Sequence, residues 1–153
     1  MPSIDEYDVK MLTLLQENGR LTNQELSEMV GLSPSQCSRR RISLEQQQLI
    51  LGYHARIAPK ALKQEIMAMV EVKLTNHENE MAANFQHFVA NEPTIIDAYK
   101  NTGDADYLLK MVVEDLPCLN DLISRLFQTK LISHIKTSIV LDRIKESGIA
   151  TIC

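Results

Sequence analysis

Between Thr22 and Gln36 the chain carries the same short pattern twice. Thr22-x-x-Glu25 and Ser33-x-x-Gln36 are both capping boxes, in which a hydroxyl and a carboxyl or amide oxygen satisfy free N–H groups at a helix start reciprocally. Gly31 lies between them, placed to end the first helix by accepting a positive φ, and Pro34 occupies the first position of the second, where no N–H is needed. Two helices this short and this close must cross at a steep angle, which makes the stretch a helix-turn-helix.

The second of these helices is read from its Ser33 cap to about Gln47 and contains Arg39, Arg40 and Arg41 in succession. At ~100° per residue, Cys37, Arg41 and Leu44 share one side, with Arg40 on its flank. Ser35, Gln36, Arg39, Ile42, Ser43 and Gln46 share the other. That outward face is polar and cationic, and it suits the major groove of double-stranded DNA. Arg39 points directly away from the core and is expected to read base edges, with Arg40 and Arg41 holding phosphates. Ser33, Ser35, Ser38 and the free N–H groups at the helix start can donate to phosphates. Ile42 can touch a thymine methyl. Thr22, Asn23 and Ser43 complete the expected DNA-facing set.

The charge balance limits how such a surface works. The whole chain of 153 residues carries a formal charge of −4, so a general basic coat is excluded and any cationic field is local. The hydrophobic content of 44% supports a packed core and argues against wholesale disorder. No apolar run approaches the ~18 residues of a membrane span. The acidic start of the chain lacks the features of a signal peptide, so a cytoplasmic protein is expected. Cys37, Cys118 and Cys153 form no obvious pairs, which suits a reducing compartment. Cys37 reads as a small buried hydrophobe, and nothing in the sequence requires Cys153 to react.

Elsewhere the hydrophobic periods define further elements. A first helix is predicted over 5–18, through Ile4, Tyr7, Met11, Leu14 and Leu15. The segment 49–57 reads as a strand or β-ribbon linker ended by Pro59. Beyond it come a strand over 66–74, a helix over 80–90, strands over 95–100 and 107–113, a helix from Asp115 to about 127, and a strand over 133–141. The fold class is therefore α+β: a winged helix-turn-helix unit over 1–58, core 23–42, then a ferredoxin-like βαββαβ unit over 59–153. Met67, Met69, Ile96, Tyr99, Met111 and Val113 are assigned to the uncovered sheet face, which predicts sheet-to-sheet pairing into a homodimer.

The string Gly19-Arg-Leu-Thr-Asn-x-Glu-Leu-Ser-x-x-Val-Gly-Leu-Ser-Pro-Ser-x-Cys37, with Leu44-Glu45 and Leu51-Gly-Tyr53, resembles the Lrp/AsnC family of transcriptional regulators. Thr102-Gly-Asp-Ala-Asp-Tyr-Leu-Leu-Lys110 resembles that family's glycine–aspartate loop and following strand, and 136–145 its last strand. The resemblance implies a DNA-binding N-terminal domain and a C-terminal domain that dimerises, assembles further to octamers and binds a small amino acid. It places the effector loop on Thr102, Gly103, Asp104, Asp106 and Tyr107. There, N–H groups near Gly103 would take the effector's carboxylate, and Asp104 or Asp106 its ammonium. The same composition also makes a sharp hairpin turn. Three features depart from the family's habit. Arg41 stands where an apolar residue is common, its stem able to snorkel at the core's rim. Lys130-Leu-Ile132 replaces Pro-Gly-Val, and Ile135 replaces a frequent threonine.

His54, His77, His87 and His134 are scattered, so neither a metal site nor a cofactor is expected. No phosphate-cradling glycine loop or nucleophile elbow appears, and the chain is not expected to be an enzyme. The alternative reading is a tetrapyrrole decarboxylase subunit of the sirohaem type, which shares the two-part architecture. It would need basic and histidine residues around its substrate, yet beyond 58 the chain's arginines are only Arg125 and Arg143. A stand-alone amino-acid sensor without DNA contact leaves the arginine-bearing helix unexplained.

Overall fold

The computed structural model describes residues 4–76 and 78–146; His77 and Cys153 lie outside them. The chain divides into two compact units, the first extending to Arg56 and including Lys145 and Glu146, the second running from Ile57 to Ile144.

The first unit is three helices, α1 (Glu6–Glu17), α2 (Asn23–Val30) and α3 (Pro34–Gln46). Each starts in a complete capping box: Asp5 with Asp8, Thr22 with Glu25, and Ser33 with Gln36. The Glu25 carboxyl is held below its ordinary range, first by the Thr22 backbone N–H and then by the Thr22 hydroxyl. Gly31 ends α2 at φ +83°. With no side chain nearby to obstruct a Cβ, its requirement is for the left-handed backbone rather than for space. Met11, Leu15, Leu21, Leu26, Val30 and Cys37 form the core where the helices meet. Cys37 is wholly buried.

The segment 49–57 forms no strand, contrary to expectation. A strand needs a neighbour to take its N–H and C=O groups, and the described residues of this unit contain no other strand. Leu51 is left 84% exposed.

The second unit opens with a 3-10 turn, Pro59–Ala61, followed by β1 (Ile66–Leu74), α4 (Asn79–Asn91), β2 (Ile95–Lys100), β3 (Tyr107–Val113), α5 (Leu116–Gln128) and β4 (Ile132–Ile139). The sheet is antiparallel in the order β2-β3-β1-β4, so the expected ferredoxin-like arrangement is present. Ala68, Val70 and Val72 pair across the ladder with Met111, Leu109 and Tyr107. This face packs against Phe85 of α4 and Leu119, Leu122 and Leu126 of α5. Tyr107 and Phe85 stack with centroids 4.7 Å apart.

The assignment of Met111 and Val113 to the uncovered face is corrected by this register: both belong to the helix-side core. The reason is that β3 is buried on both faces at its end, with Val112 as covered as its neighbours, so alternation is lost there. Ile96 sits at an irregularity between Ile95 and Asp97. The face turned away from the helices carries Met67, Met69, Glu71 and Lys73 of β1 opposite Val112, Lys110 and Leu108 of β3 and Ser138, Lys136 and His134 of β4, with Met67 and Val112 buried at one end and the rest open. Tyr99 and Asp97 extend it along β2. Ion pairs Lys110–Asp97 (3.9 Å) and Lys136–Glu71 (3.5 Å) cross it.

Candidate nucleic-acid interface and ligand cleft

The three consecutive arginines of α3 have three different environments. Arg39 is exposed and makes no ion pair or hydrogen bond among the described residues. Arg40 turns toward α1, where Nη2 lies 2.8 Å from Asp5 Oδ2 and Nη1 lies 2.8 Å from Asp8 Oδ1. Its guanidinium also stands over the Tyr7 ring, 5.5 Å from the centroid. Hydrogen bonds to the Asp8 and Asp5 carboxylates raise the Arg40 pKa above its ordinary value. Asp5 shifts the other way, lowered first by the Asp8 backbone N–H that it caps, with Arg40 adding to the effect.

Arg41 is half-buried on the core side. Nη1 donates to the Leu21 carbonyl (2.9 Å) and to Asn23 Oδ1 (3.4 Å), and Nη2 to the Gly19 carbonyl (3.5 Å). Nε donates to the Tyr53 hydroxyl (3.0 Å), which donates in turn to Glu45 Oε1 (2.9 Å). The guanidinium also lies 5.1 Å from the Tyr53 ring centroid. Burial pushes the Tyr53 pKa up, opposed by Arg41 and reinforced by Glu45. A long stem over the core with its charged head at the rim is the snorkelling geometry. Here the head binds the α1–α2 connection.

Thr22 Oγ1 is used by Glu25, and Asn23 by Arg41, so both serve the fold of the unit. Ser33 Oγ donates to Gln36 Oε1 at 2.9 Å and has Ser35 Oγ 3.1 Å away. Ser43 Oγ accepts from Gln47 Nε2 at 2.8 Å. Ser38 is half-buried, whereas Ser35, Gln36, Arg39, Ile42 and Ser43 share the exposed side of α3. Sequence reasoning placed the two faces of α3. It missed Asp5, Asp8, Tyr7 and Tyr53 as partners of the arginines, because those pairings join residues far apart in sequence, Arg40 and Asp8 being 32 positions apart and Asp5 farther still.

In the second unit, Thr102, Gly103 and Asp104 are exposed at the tip of the β2–β3 connection, with Gly103 at φ +120°. Asp106 is anchored: its N–H donates to the Val72 carbonyl (2.9 Å), and its Oδ2 accepts from the Leu74 N–H (2.7 Å). Tyr107 is buried against Phe85, and its hydroxyl accepts from Gln86 Nε2 at 3.4 Å. The loop residues therefore separate into an exposed tip and a buried stem. Beside the tip, Glu71, Val72, Lys73, Asp104, Ala105, His134 and Lys136 line an open cleft of about 490 Å³. Its rim presents both carboxylates and amines. Ile135, the departure from threonine, packs against the helix-side core rather than into this cleft.

A capped helix-turn-helix unit followed by a ferredoxin-like unit with a loop-edged cleft defines a DNA-binding regulator with a ligand-binding domain. Residues 4–45 match the AsnC-type helix-turn-helix domain, and residues 67–150 match the Lrp/AsnC ligand binding domain. The chain belongs to the Lrp/AsnC family of transcriptional regulators. It is 33% identical over 146 residues to the leucine-responsive regulatory protein of Escherichia coli, covering 95% of this chain and 89% of that protein. It is 33% identical over 152 residues to an uncharacterized HTH-type transcriptional regulator of Pyrococcus furiosus, covering 97% and 98%. Its fold superposes with a TM-score of 0.91 on a transcriptional regulator of Neisseria meningitidis in complex with L-Met, at 32% identity and covering 99% and 97% of the two chains.

Proposed function

We propose that this regulator reads double-stranded DNA through the exposed face of α3, under the control of a small amino acid bound at the Asp104 cleft, and that it is not an enzyme. The observation that carries the DNA reading is Arg39, exposed on the recognition helix beside Ser35, Gln36 and Ile42 and uncommitted among the described residues. An uncommitted guanidinium can donate in bidentate fashion to a guanine edge. The backbone N–H groups at the start of α3 and the Ser35 hydroxyl would hold the adjacent phosphates.

The cleft supports the amino-acid reading through its charge pattern. A zwitterion needs an acid and a base a few ångströms apart, and Asp104 and Glu71 stand there with Lys73, His134 and Lys136. The L-Met complex of the neisserial neighbour supports the same ligand class. The working form is a homodimer joined through the uncovered sheet face, assembling further to octamers. Met69, Leu108 and Tyr99 supply apolar surface there, beside ion pairs that a second copy can cross. Footprinting on the gene's own upstream region, with and without a panel of amino acids, tests the function. Protection that is salt-sensitive and changes with one amino acid is expected, and no protection under any condition would sink it. Light scattering tests the assembly, and a monodisperse monomer at micromolar concentration would contradict it.

A further inference from the structure

The two acids that hold Arg40 are also the two acids that cap α1. Asp5 Oδ1 accepts from the Asp8 N–H at 2.9 Å, and Asp8 Oδ2 accepts from the Asp5 N–H at 3.2 Å. Their other oxygens, Asp5 Oδ2 and Asp8 Oδ1, each lie 2.8 Å from one terminal nitrogen of Arg40. Two anionic oxygens are thus offered side by side to a guanidinium fork, which is the arrangement a phosphodiester offers. The Tyr7 ring covers one side of the guanidinium, and the Arg40 side chain is 31% exposed, so the group is held but remains within reach of solvent.

We propose that Asp5 and Asp8 form an internal phosphate surrogate that keeps Arg40 off the DNA backbone and so makes DNA binding depend on the bases read by Arg39. The inference rests on the reading of α3 as the DNA-contacting helix. Phosphate contacts add affinity at every sequence alike, whereas base contacts add it only at the right ones. An arginine next to Arg39 and free to take a phosphate would raise the background along with the signal. Held by two carboxylates, Arg40 still orders α3 against α1 without adding to that background. The aspartates therefore act as specificity determinants that touch no DNA.

The test uses the full chain and measures affinity against salt for the gene's own upstream duplex and for a random duplex. In the Asp5→Asn/Asp8→Asn variant, Arg40 is released to a phosphate. The slope of log K against log salt is then expected to steepen by about 0.9, with random-duplex affinity rising on the order of tenfold at low salt. Adding Arg40→Gln to that variant should abolish the gain, and Arg40→Gln alone should leave the wild-type slope unchanged. Asp5→Asn alone keeps an effective cap and should move the slope in the same direction if the double variant does not fold. An unchanged slope in the aspartate variants would overturn the proposal. So would a gain that persists without Arg40, since that would be the field of two lost charges. A flatter slope for Arg40→Gln alone would overturn it too, by placing Arg40 on a phosphate already. If the wild type binds no duplex at all, the reading of α3 falls and takes this inference with it.

Discussion

Arg41, in the middle of α3, donates from Nη1 to the backbone carbonyl of Leu21 across 2.9 Å, joining the recognition helix to the connection between α1 and α2. A carbonyl in a connecting segment has no ladder or helix partner, so a side-chain donor there fixes how one helix sits on the next. The same guanidinium reaches the Gly19 carbonyl, Asn23 and Tyr53. Its place in the fold is that of a brace.

From this brace follows the effect of Arg41→Ala. Hydrogen bonds to charged groups contribute about 1.5–3 kcal/mol each in well-covered sites, and the half-buried setting here reduces that. A loss of about 1–3 kcal/mol is expected for the first unit, with little effect on the second. Amide hydrogen exchange resolves the two units separately. Faster exchange confined to α1, α2 and α3 is the expected outcome, and unchanged protection there would show that the brace contributes nothing.

Arg39→Ala should leave exchange protection unchanged, because Arg39 has no partner among the described residues. It should cost about 1–3 kcal/mol at the preferred site and much less at others, flattening the preference at one base position. A site library profiled with both proteins checks this. An equal loss at every sequence would reassign Arg39 to a phosphate.

These two arginines also mark what could be read from the sequence. Capping boxes are local, closed within four residues, so Thr22–Glu25 and Ser33–Gln36 were legible directly, as was the Gly31 stop. The order of strands and helices in the second unit followed from hydrophobic periods that run for most of each element. The outward turn of Arg39 followed from helix geometry alone. The partners of Arg40 did not, because Asp8 lies 32 positions away and nothing in either local pattern ties them. The face of Met111 was misread for a different reason. In Tyr107–Val113 the last three residues are all buried, and a strand covered on both sides loses the alternation that sets its phase. The 49–57 segment has strand-like composition, but composition does not supply a pairing partner.

The loop tip and stem should respond differently to substitution. Asp104→Ala, at the exposed tip beside the cleft, is expected to weaken amino-acid binding by about tenfold or more, as loss of a charge-assisted hydrogen bond would. The second unit's stability should not change. Asp106→Ala removes the acceptor for the Leu74 N–H and should destabilise the β1–β3 edge whether or not ligand is present. Calorimetric titration together with hydrogen exchange separates the two. If both variants lose binding and neither loses protection, the division into tip and stem is wrong.

Glu92 and Arg125 give the second unit a pH-dependent clip. Glu92, 8% exposed at the end of α4, accepts from Thr94 Oγ1 at 2.6 Å and pairs with Arg125 Nη1 of α5 at 2.5 Å. Arg125 also pairs with Asp121 at 3.0 Å, and its hydrogen bond to Glu92 raises its pKa. Burial alone would push the Glu92 carboxyl up, but the bonds from Thr94 and Arg125 outweigh it and leave the group below its ordinary 4.5. A carboxyl depressed in the folded state contributes stability that is fully present above its unfolded value and is lost as pH falls through its folded value. Acid should therefore weaken the α4–α5 attachment only below about pH 4.5. In Glu92→Gln the amide can still bond Thr94, but this part of the acid dependence should vanish. Because Arg125 is 44% exposed, Arg125→Ala should cost about 1–2 kcal/mol rather than the ~3–5 kcal/mol of a fully buried pair. Denaturant unfolding from pH 3 to pH 7 measures both effects. An acid slope identical in wild type and Glu92→Gln would show that the clip does not sense protons.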